Sequence, residues 1–324
     1  MIYLEYVILA AAVVWCSIKC AMYVDLLDKK TNLSGAFIGG VILAAVTSLP
    51  ELFTSISALF MLEVPKPELI LGNVLGSNVF NIAALALLVF FTARQFSSSR
   101  VMKSHIWAIL LTAGLYVMLI VNIFVPIDYH ILTVSVLSIV ILIVYVIAVR
   151  LMAGDECNAE GEADSRLTVR QIVFRFSFAA VGLVTASVLI TYVTDEIQQE
   201  LPWLGVTLAG AVLLGAATSL PELSSCIALV KRGNYNASIG NVTGSNIFNM
   251  CIIFVADVLL FKGSVYLFDR QTAVLLMTGL ISMLALLWLI VLCRREKEVK
   301  PLWYRLLSGV SILCYVLFLA LSLI

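Results

Sequence analysis

Apolar residues along the chain form ten long runs, separated by short polar connections. The runs lie at approximately residues 2–24, 33–61, 68–93, 104–126, 130–151, 172–194, 201–230, 237–261, 272–293 and 303–324. A helix needs about 20 apolar residues to cross a bilayer, and the sequence lacks the alternating segments of a membrane β-barrel. The pattern therefore predicts an all-α integral membrane protein with ten transmembrane helices, which we number as spans 1 to 10.

The composition supports a membrane location. Of the 324 residues, 62% are hydrophobic and 12% are charged, whereas a soluble domain carries about 25% charged residues. The formal net charge is zero, which predicts no basic surface for nucleic acid. The seven cysteines show no metal-ligand spacing. The lipid bilayer is thus the predicted partner, and the sequence indicates neither an obligatory protein partner nor a cofactor.

Basic residues in the connections predict the orientation of the chain. If the N-terminus lies outside, the inner connections carry 16 Lys and Arg residues and the outer connections carry 3. Connections on the cytoplasmic side of membrane proteins are enriched in Lys and Arg. The sequence therefore predicts a multi-pass protein of the cell inner (plasma) membrane with both termini outside.

Two segments of the chain occur twice. Residues 39–52, GGVILAAVTSLPEL, match residues 210–223, GAVLLGAATSLPEL. Residues 72–81, GNVLGSNVFN, match residues 240–249, GNVTGSNIFN, in the same order. The order and length of the matches indicate an internal duplication.

The duplication predicts two five-helix repeats. The first covers residues 1–151 and the second covers residues 172–324, joined by a polar cytoplasmic linker at 152–171. Because five is an odd number, the second repeat starts on the opposite face of the membrane and is inverted. Inverted repeats with interrupted helices are typical of secondary transporters, whose binding site lies between the repeats.

Pro50 and Pro221 lie in the middle of spans 2 and 7 and are predicted to break these helices. Proline has no backbone N–H and crowds the carbonyl four residues before it. We therefore expect backbone oxygens without helical partners around residues 44–47 and 215–218. Oxygens of this kind are suited to replacing the water around a hard cation.

A carboxylate follows each proline, at Glu51 and Glu222. A charge at the centre of a spanning helix costs about 2.5–3.5 kcal/mol on insertion scales, so it needs a partner. No Lys or Arg lies at matching depth in the sequence. Protons or bound cations are the predicted partners, and the alternative is a pair of protonated glutamates that bond to each other.

Polar residues also recur at helical spacing in spans 3 and 8, so that each set shares one helix face. The two sets are Asn73, Ser77 and Asn81, and Asn241, Ser245 and Asn249. Their oxygens suit Na⁺ and Ca²⁺, and the alternative is hydrogen bonding between helices. Asn78 and Asn246 lie off this face and are predicted to pack, while Asp257 is predicted to line the outer vestibule or face water.

TSLPE combined with GNxxGSNxFN, present twice, closely resembles the calcium/cation antiporter superfamily. More specifically, the motifs resemble the sodium/calcium exchanger family in its prokaryotic type, which has no regulatory domain. The resemblance implies an antiporter, not an enzyme, that exports Ca²⁺ in exchange for Na⁺ by alternating access. It also implies that spans 1 and 6 move as a gate.

The resemblance also implies roles for individual residues. The ions that bind to the protein are the transported Ca²⁺ and Na⁺ themselves. Calcium would be bound by Glu51 and Glu222, helped by the carbonyls of Thr47 and Thr218. Sodium would be bound by Ala44, Ser48, Ser77, Gly215, Ser219 and Ser245, which share the two glutamates. Asn81 and Asn249 would face a middle site.

Three positions depart from the pattern of the family. Val46 and Ala217 stand where many relatives have Gly, and Asn249 stands where relatives often have Asp. With Asn249 neutral, the fixed charge is −2 from the two glutamates. One Ca²⁺ neutralises that charge and three Na⁺ leave +1, which predicts electrogenic exchange. Potassium-dependent relatives carry an acid at position 249, so the resemblance implies exchange that is independent of potassium.

Other functions remain open at this point. A proton-coupled antiporter for Ca²⁺ or Mn²⁺ is the nearest alternative, because protons also neutralise carboxylates. A channel would use the same kinds of ligand without obligatory exchange. A membrane scaffold that transports nothing is the remaining alternative, but it has no use for two unpaired carboxylates.

Overall fold

The computed structural model describes residues 1–31, 44–99, 101–127, 129–131, 133–153, 167–231, 233–260, 263–294 and 299–323. These residues are helical apart from their connections and one short antiparallel hairpin. The hairpin consists of β1 (His130–Ile131) and β2 (Val134–Ser135). The prediction of an all-α membrane protein is therefore confirmed.

In the first half of the chain the helices are α1 (Ile2–Thr31), α2 (Leu49–Phe60), α3 (Pro67–Phe91), α4 (Ala93–Ser97), α5 (Ser104–Phe124) and α6 (Val136–Ala153). In the second half they are α7 (Val169–Glu200), α8 (Val206–Ala209), α9 (Ala216–Thr218), α10 (Leu220–Lys231), α11 (Tyr235–Leu259), α12 (Arg270–Cys293) and α13 (Pro301–Ser322). A short 3₁₀ helix occupies Pro202–Leu204, and a π-helix occupies Gly210–Gly215.

Seven helices of the described residues are long and apolar enough to cross a membrane. They are α1, α3, α5, α7, α11, α12 and α13. The bent pair formed by Val206–Thr218 and Leu220–Lys231 adds an eighth span if it is counted as one. The apolar helix α2 and the apolar stretch Val136–Met152 of α6 are shorter, and residues 32–43 of predicted span 2 lie outside the described part of the chain.

Both TSLPE motifs interrupt a helix at their serine, as the prolines predict. Residues 44–47 are helical, and α2 begins at Leu49 after Ser48, whose φ and ψ are −92° and 10°. In the second half, Ser219 has φ −89° and ψ 1° and separates α9 from α10, where the axis bends by 43°. The two breaks therefore have nearly the same backbone geometry.

The prediction of free carbonyls is wrong for Ala44 and Gly215. The Ser48 N–H donates to Ala44 O at 3.1 Å, and the Ser219 N–H donates to Gly215 O at 3.2 Å. The N–H that each proline lacks would have reached the carbonyl four residues earlier, which belongs to Val46 and to Ala217. The carbonyls that lose a helical donor are therefore those of Val46 and Ala217, which lie within the predicted ranges 44–47 and 215–218.

Glycines allow α3 to pack against the segment that precedes the second break. A Cβ on Gly76 would lie 2.6 Å from Ala211 Cβ, and a Cβ on Gly215 would lie 3.0 Å from Asn73 O. Added atoms on Gly72 and Gly210 would overlap backbone oxygens of the opposite element. The close approach brings the π-helix against the polar face of α3.

Asp257 differs from its prediction. Its side chain is buried in α11, and Oδ2 accepts the Ser135 N–H at 2.8 Å. Ser135 directly precedes α6, where the first N–H groups of a helix need acceptors. The prediction that Asp257 lines the outer vestibule or faces water is therefore wrong, because the carboxylate binds the backbone at the start of α6.

Candidate functional site

Glu51 and Glu222 lie in the first turns of α2 and α10, directly after the two breaks. Their side chains are 0% and 1% exposed. Each accepts a hydrogen bond from the serine of the opposite motif. Ser219 Oγ lies 3.0 Å from Glu51 Oε1, and Ser48 Oγ lies 3.1 Å from Glu222 Oε1. The two breaks are therefore brought together, and each supplies a hydroxyl to the carboxylate of the other.

A second pair of serines comes from α3 and α11. Ser77 Oγ lies 3.4 Å from Glu51 Oε1 and donates to Gly215 O at 3.1 Å. Ser245 Oγ lies 3.5 Å from Glu222 Oε1. The equivalent residues of the two halves thus make equivalent contacts with the glutamates. All four predicted serines belong to one buried cluster.

The threonines of the motifs use their hydroxyls within their own helices. Thr47 Oγ1 donates to Ala44 O at 3.1 Å and lies 3.5 Å from Ser245 Oγ. Thr218 Oγ1 donates to Leu214 O at 2.8 Å. Both threonines are fully buried at the breaks beside the glutamates. Their predicted contribution to a cation through the carbonyl oxygen stays a prediction.

Neither glutamate has a cationic partner in the described part of the chain. The ion pair found there joins Lys66 at the start of α3 to Asp195 in α7. Oε2 of Glu51 and Oε2 of Glu222 are buried and accept no hydrogen bond. A buried charge without a partner is strongly unfavourable. The protein therefore leaves two carboxylate oxygens to be satisfied by something other than its own described side chains.

Four amide oxygens on the polar faces of α3 and α11 are also buried without a hydrogen-bond partner. They belong to Asn73, Asn81, Asn241 and Asn249. The amide nitrogens, in contrast, are bonded, as when Asn73 Nδ2 donates to Thr54 Oγ1 at 2.9 Å. Buried polar atoms in proteins are almost always paired. The cluster is therefore rich in acceptors and poor in donors, and a cation is the ligand that satisfies such a set.

Asn78 and Asn246 contact two of the predicted site residues, and the sequence did not predict these contacts. Asn78 Oδ1 accepts from Asn249 Nδ2, and Asn246 Oδ1 accepts from Asn81 Nδ2, each at 3.1 Å. Both residues were predicted only to pack, because they lie off the helical stripe. The signal that could have found them is their occurrence at the same position of both repeats.

The protein-family model described as sodium/calcium exchanger protein matches residues 4–153 and 172–324. The chain is a member of the sodium/calcium exchanger family. The resemblance identified from the TSLPE and GNxxGSNxFN motifs is therefore confirmed.

Two membrane proteins of comparable length are similar to this chain. Inner membrane protein YrbG of Escherichia coli strain K12 is 25% identical over 289 residues, which are 83% of this chain and 83% of that protein. Uncharacterized membrane protein MJ0091 of Methanocaldococcus jannaschii is 28% identical and covers 67% of this chain and 68% of its own.

Solved structures show the same fold. The H⁺/Ca²⁺ exchanger CAX superposes with a TM-score of 0.71 at 16% identity, over 99% of this chain and 88% of that protein. The sodium-calcium exchanger NCX_Mj, soaked with Na⁺ and Sr²⁺, superposes with a TM-score of 0.62 at 23% identity, over 99% of both chains. At these identities the likeness concerns the fold alone, and the coupling ion has to be argued from the site.

Proposed function

We propose that this exchanger is a secondary active antiporter that exports Ca²⁺ in exchange for Na⁺ by alternating access. The observation that carries the proposal is the pair of buried glutamates whose Oε2 atoms have no partner. Serine hydroxyls contact both glutamates, and amide oxygens without partners lie on the same faces of α3 and α11 as Ser77 and Ser245. Carboxylates and neutral oxygens are the ligands that Ca²⁺ prefers. The fixed charge of −2 matches one divalent cation.

In this proposal the calcium ligands are Glu51 and Glu222 with the carbonyls of Thr47 and Thr218. The sodium ligands are divided between the halves and use the two glutamates again. They are Ala44, Ser48 and Ser77 in the first half, and Gly215, Ser219 and Ser245 in the second. The contact of Ser77 Oγ with both Glu51 Oε1 and Gly215 O supports a shared set of oxygens. Asn81 and Asn249 supply the middle position.

The proposed topology is ten spans in two inverted repeats, in the plasma membrane with both termini outside. Reciprocal contacts support the symmetry of the repeats. The bond from Ser48 to Glu222 has its equivalent in the bond from Ser219 to Glu51, with lengths of 3.1 and 3.0 Å. Contacts that are exchanged in this way are expected around a two-fold axis between the repeats.

The site also explains why transport would be an exchange. An empty site would carry two uncompensated carboxylates through the membrane centre, which is unfavourable. Either Ca²⁺ or Na⁺ must therefore be bound before the gate moves. We propose α1 and α7 as the gate, and α1 reaches the site segments through Tyr6 Oη, which donates to Leu213 O at 2.6 Å.

A gradient experiment tests the coupling ion. In proteoliposomes loaded with Na⁺ and diluted into Na⁺-free medium, we expect Ca²⁺ uptake that an imposed pH gradient without Na⁺ does not reproduce. Uptake driven by the pH gradient alone would overturn Na⁺ coupling and support the second candidate, a proton-coupled divalent cation antiporter. The neutral surroundings of both glutamates favour that candidate, since protons also neutralise them.

The charge of the site predicts a response to membrane potential. If three Na⁺ leave the vesicle for each Ca²⁺ that enters, one net positive charge leaves per cycle. An inside-positive potential, set with a K⁺ gradient and valinomycin, should therefore accelerate Ca²⁺ uptake. Replacing K⁺ with choline, without valinomycin, should leave the basal rate unchanged. A rate that does not respond to potential would contradict this stoichiometry.

A further inference from the structure

We infer that Asn78 and Asn246 are positioning residues that turn the amide oxygens of Asn249 and Asn81 towards the transported cation. The inference rests on the proposed function, because it concerns the middle position of the same site. It assigns a role to two side chains that lie off the predicted ligand stripe.

Asn78 and Asn246 hold each other at the point where α3 meets α11. Asn78 Nδ2 donates to the backbone oxygen of Asn246 at 3.2 Å, and Asn246 Nδ2 donates to the backbone oxygen of Asn78 at 3.3 Å. A carbonyl only accepts hydrogen bonds, so each of these side chains must present its NH₂ group to it. The two carbonyls therefore fix the orientation of both amides.

This orientation determines that of the next pair. With the NH₂ groups engaged, Asn78 and Asn246 offer only their Oδ1 atoms, which again accept and do not donate. Asn249 and Asn81 meet these oxygens with Nδ2 at 3.1 Å. Reversing either of the latter amides would place two acceptors against each other. The network therefore admits one orientation for each of the four side chains.

The consequence is that Asn81 and Asn249 direct oxygen, not nitrogen, away from the network. Both Oδ1 atoms are buried and have no hydrogen-bond partner. Asn81 lies one helical turn after Ser77, and Asn249 one turn after Ser245, so each shares a face with a serine that contacts a glutamate. A reversed amide would point two N–H groups at the cation and repel it. An asparagine side chain can present either a donor or an acceptor, and the network fixes Asn81 and Asn249 so that each presents its acceptor oxygen.

The same network accounts for an amide in place of a carboxylate at position 249. Asn78 Oδ1 needs a donor, and a carboxylate would put a second acceptor against it. The neutral Asn249 satisfies Asn78 and still offers one oxygen to the site. The fixed charge of the site therefore stays with Glu51 and Glu222.

A double-mutant cycle tests this role. We expect Asn78→Ala and Asn249→Ala each to raise the Ca²⁺ Kd of the purified full-length protein by about tenfold, the scale of one lost oriented oxygen. If Asn78 acts through Asn249, the double variant should bind Ca²⁺ no more weakly than Asn249→Ala alone. A roughly hundredfold loss in the double variant, or an unchanged Kd in Asn78→Ala, would overturn the inference.

The other half of the network repeats the experiment with Asn246→Ala and Asn81→Ala. This second cycle keeps the inference testable if Asn78→Ala does not fold. Asn122→Ala is the matched control, because Asn122 is a buried amide whose Oδ1 accepts the Ile127 N–H at 2.7 Å. It should lower the melting temperature without changing the Kd. A rise in Kd equal to that of Asn78→Ala would mean that general destabilisation causes both.

Binding by the unaltered protein separates this inference from the proposed function. If the unaltered protein binds no Ca²⁺, the proposed function fails and this inference fails with it. If the unaltered protein binds Ca²⁺ and Glu51→Gln does not, while Asn78→Ala binds normally, only the positioning role is refuted. Calorimetry in detergent with CaCl₂ as the titrant supplies all of these values.

Discussion

Glu51→Gln and Glu222→Gln should each abolish Ca²⁺ transport while the protein still folds. Each substitution removes half of the −2 charge that would bind the divalent cation. We expect the affinity for Ca²⁺ to fall at least ~100-fold, which corresponds to ~2.7 kcal/mol. Uptake of radiolabelled Ca²⁺ into proteoliposomes, at equal amounts of reconstituted protein, measures this effect.

The structure explains why folding should survive these two substitutions. Glutamine keeps an oxygen for Ser219 at Glu51 and for Ser48 at Glu222, and it removes a buried charge that the described residues leave unpaired. The melting temperature should therefore stay constant or rise. Glu63→Gln is the matched control, because Glu63 is exposed in the connection between α2 and α3. Full transport by Glu51→Gln would refute the assignment of the ligands.

Gly76→Ala should disrupt the packing of α3 against the segment before the second break. The added Cβ would lie 2.6 Å from Ala211 Cβ and 2.8 Å from Ala211 O, and the latter atom cannot rotate away. Overpacking a tight interface costs about 1–3 kcal/mol. We expect the melting temperature to fall by about 5 °C and transport to fall strongly, because Ser77 and the π-helix must shift together.

Gly114→Ala provides the comparison for that substitution. Gly114 lies in α5, and a Cβ added there meets no atom within 4 Å. Alanine is a better helix former than glycine, so this variant should be as stable as the unaltered protein or slightly more stable. Equal melting temperatures and transport rates for the two variants would show that the close approach at Gly76 is not required.

Much of the site could be predicted from the sequence because it depends on local covalent features. A proline followed by glutamate fixes both the break and the position of the carboxylate, and Glu51 and Glu222 lie as expected after the breaks. The duplication then places two such motifs in one protein. That Ser48 bonds to the opposite glutamate was beyond the sequence, because it depends on how the two halves meet.

The errors also have physical causes. The predicted ranges of free carbonyls, 44–47 and 215–218, begin too early, because Ala44 O and Gly215 O accept the N–H groups of Ser48 and Ser219. The N–H that each proline lacks would have bonded to Val46 or Ala217. Asp257 was expected near water because nothing in the sequence pairs it with Ser135, 122 residues away. The sequence assigns Asn78 and Asn246 to packing because they lie off the polar face of their own helix. Their contacts are with the opposite helix, α11 or α3, and helical spacing within one segment gives no information about such contacts.

The fold was predictable in class but not in detail. Long apolar runs identify spanning helices directly, as for α3, α5 and α12. The π-helix at Gly210–Gly215, which packs against α3, has no sequence signature. The described residues contain the shorter helix α2 where a full span was predicted. The full set of ten spans remains a prediction.

The most direct measurement of the central claim is the dependence of Ca²⁺ efflux on cations outside the vesicle. Proteoliposomes loaded with radiolabelled Ca²⁺ are divided into three samples. One sample is diluted into choline medium that contains neither Na⁺ nor Ca²⁺, and the other two are diluted into the same medium with Na⁺ or with unlabelled Ca²⁺. Two uncompensated carboxylates predict negligible efflux into choline and rapid efflux when either cation is present. Efflux into choline at the same rate as into Na⁺ would contradict obligatory exchange for Na⁺ or Ca²⁺. It would indicate a channel if the rate is independent of the pH outside, and proton coupling if the rate rises as that pH is lowered.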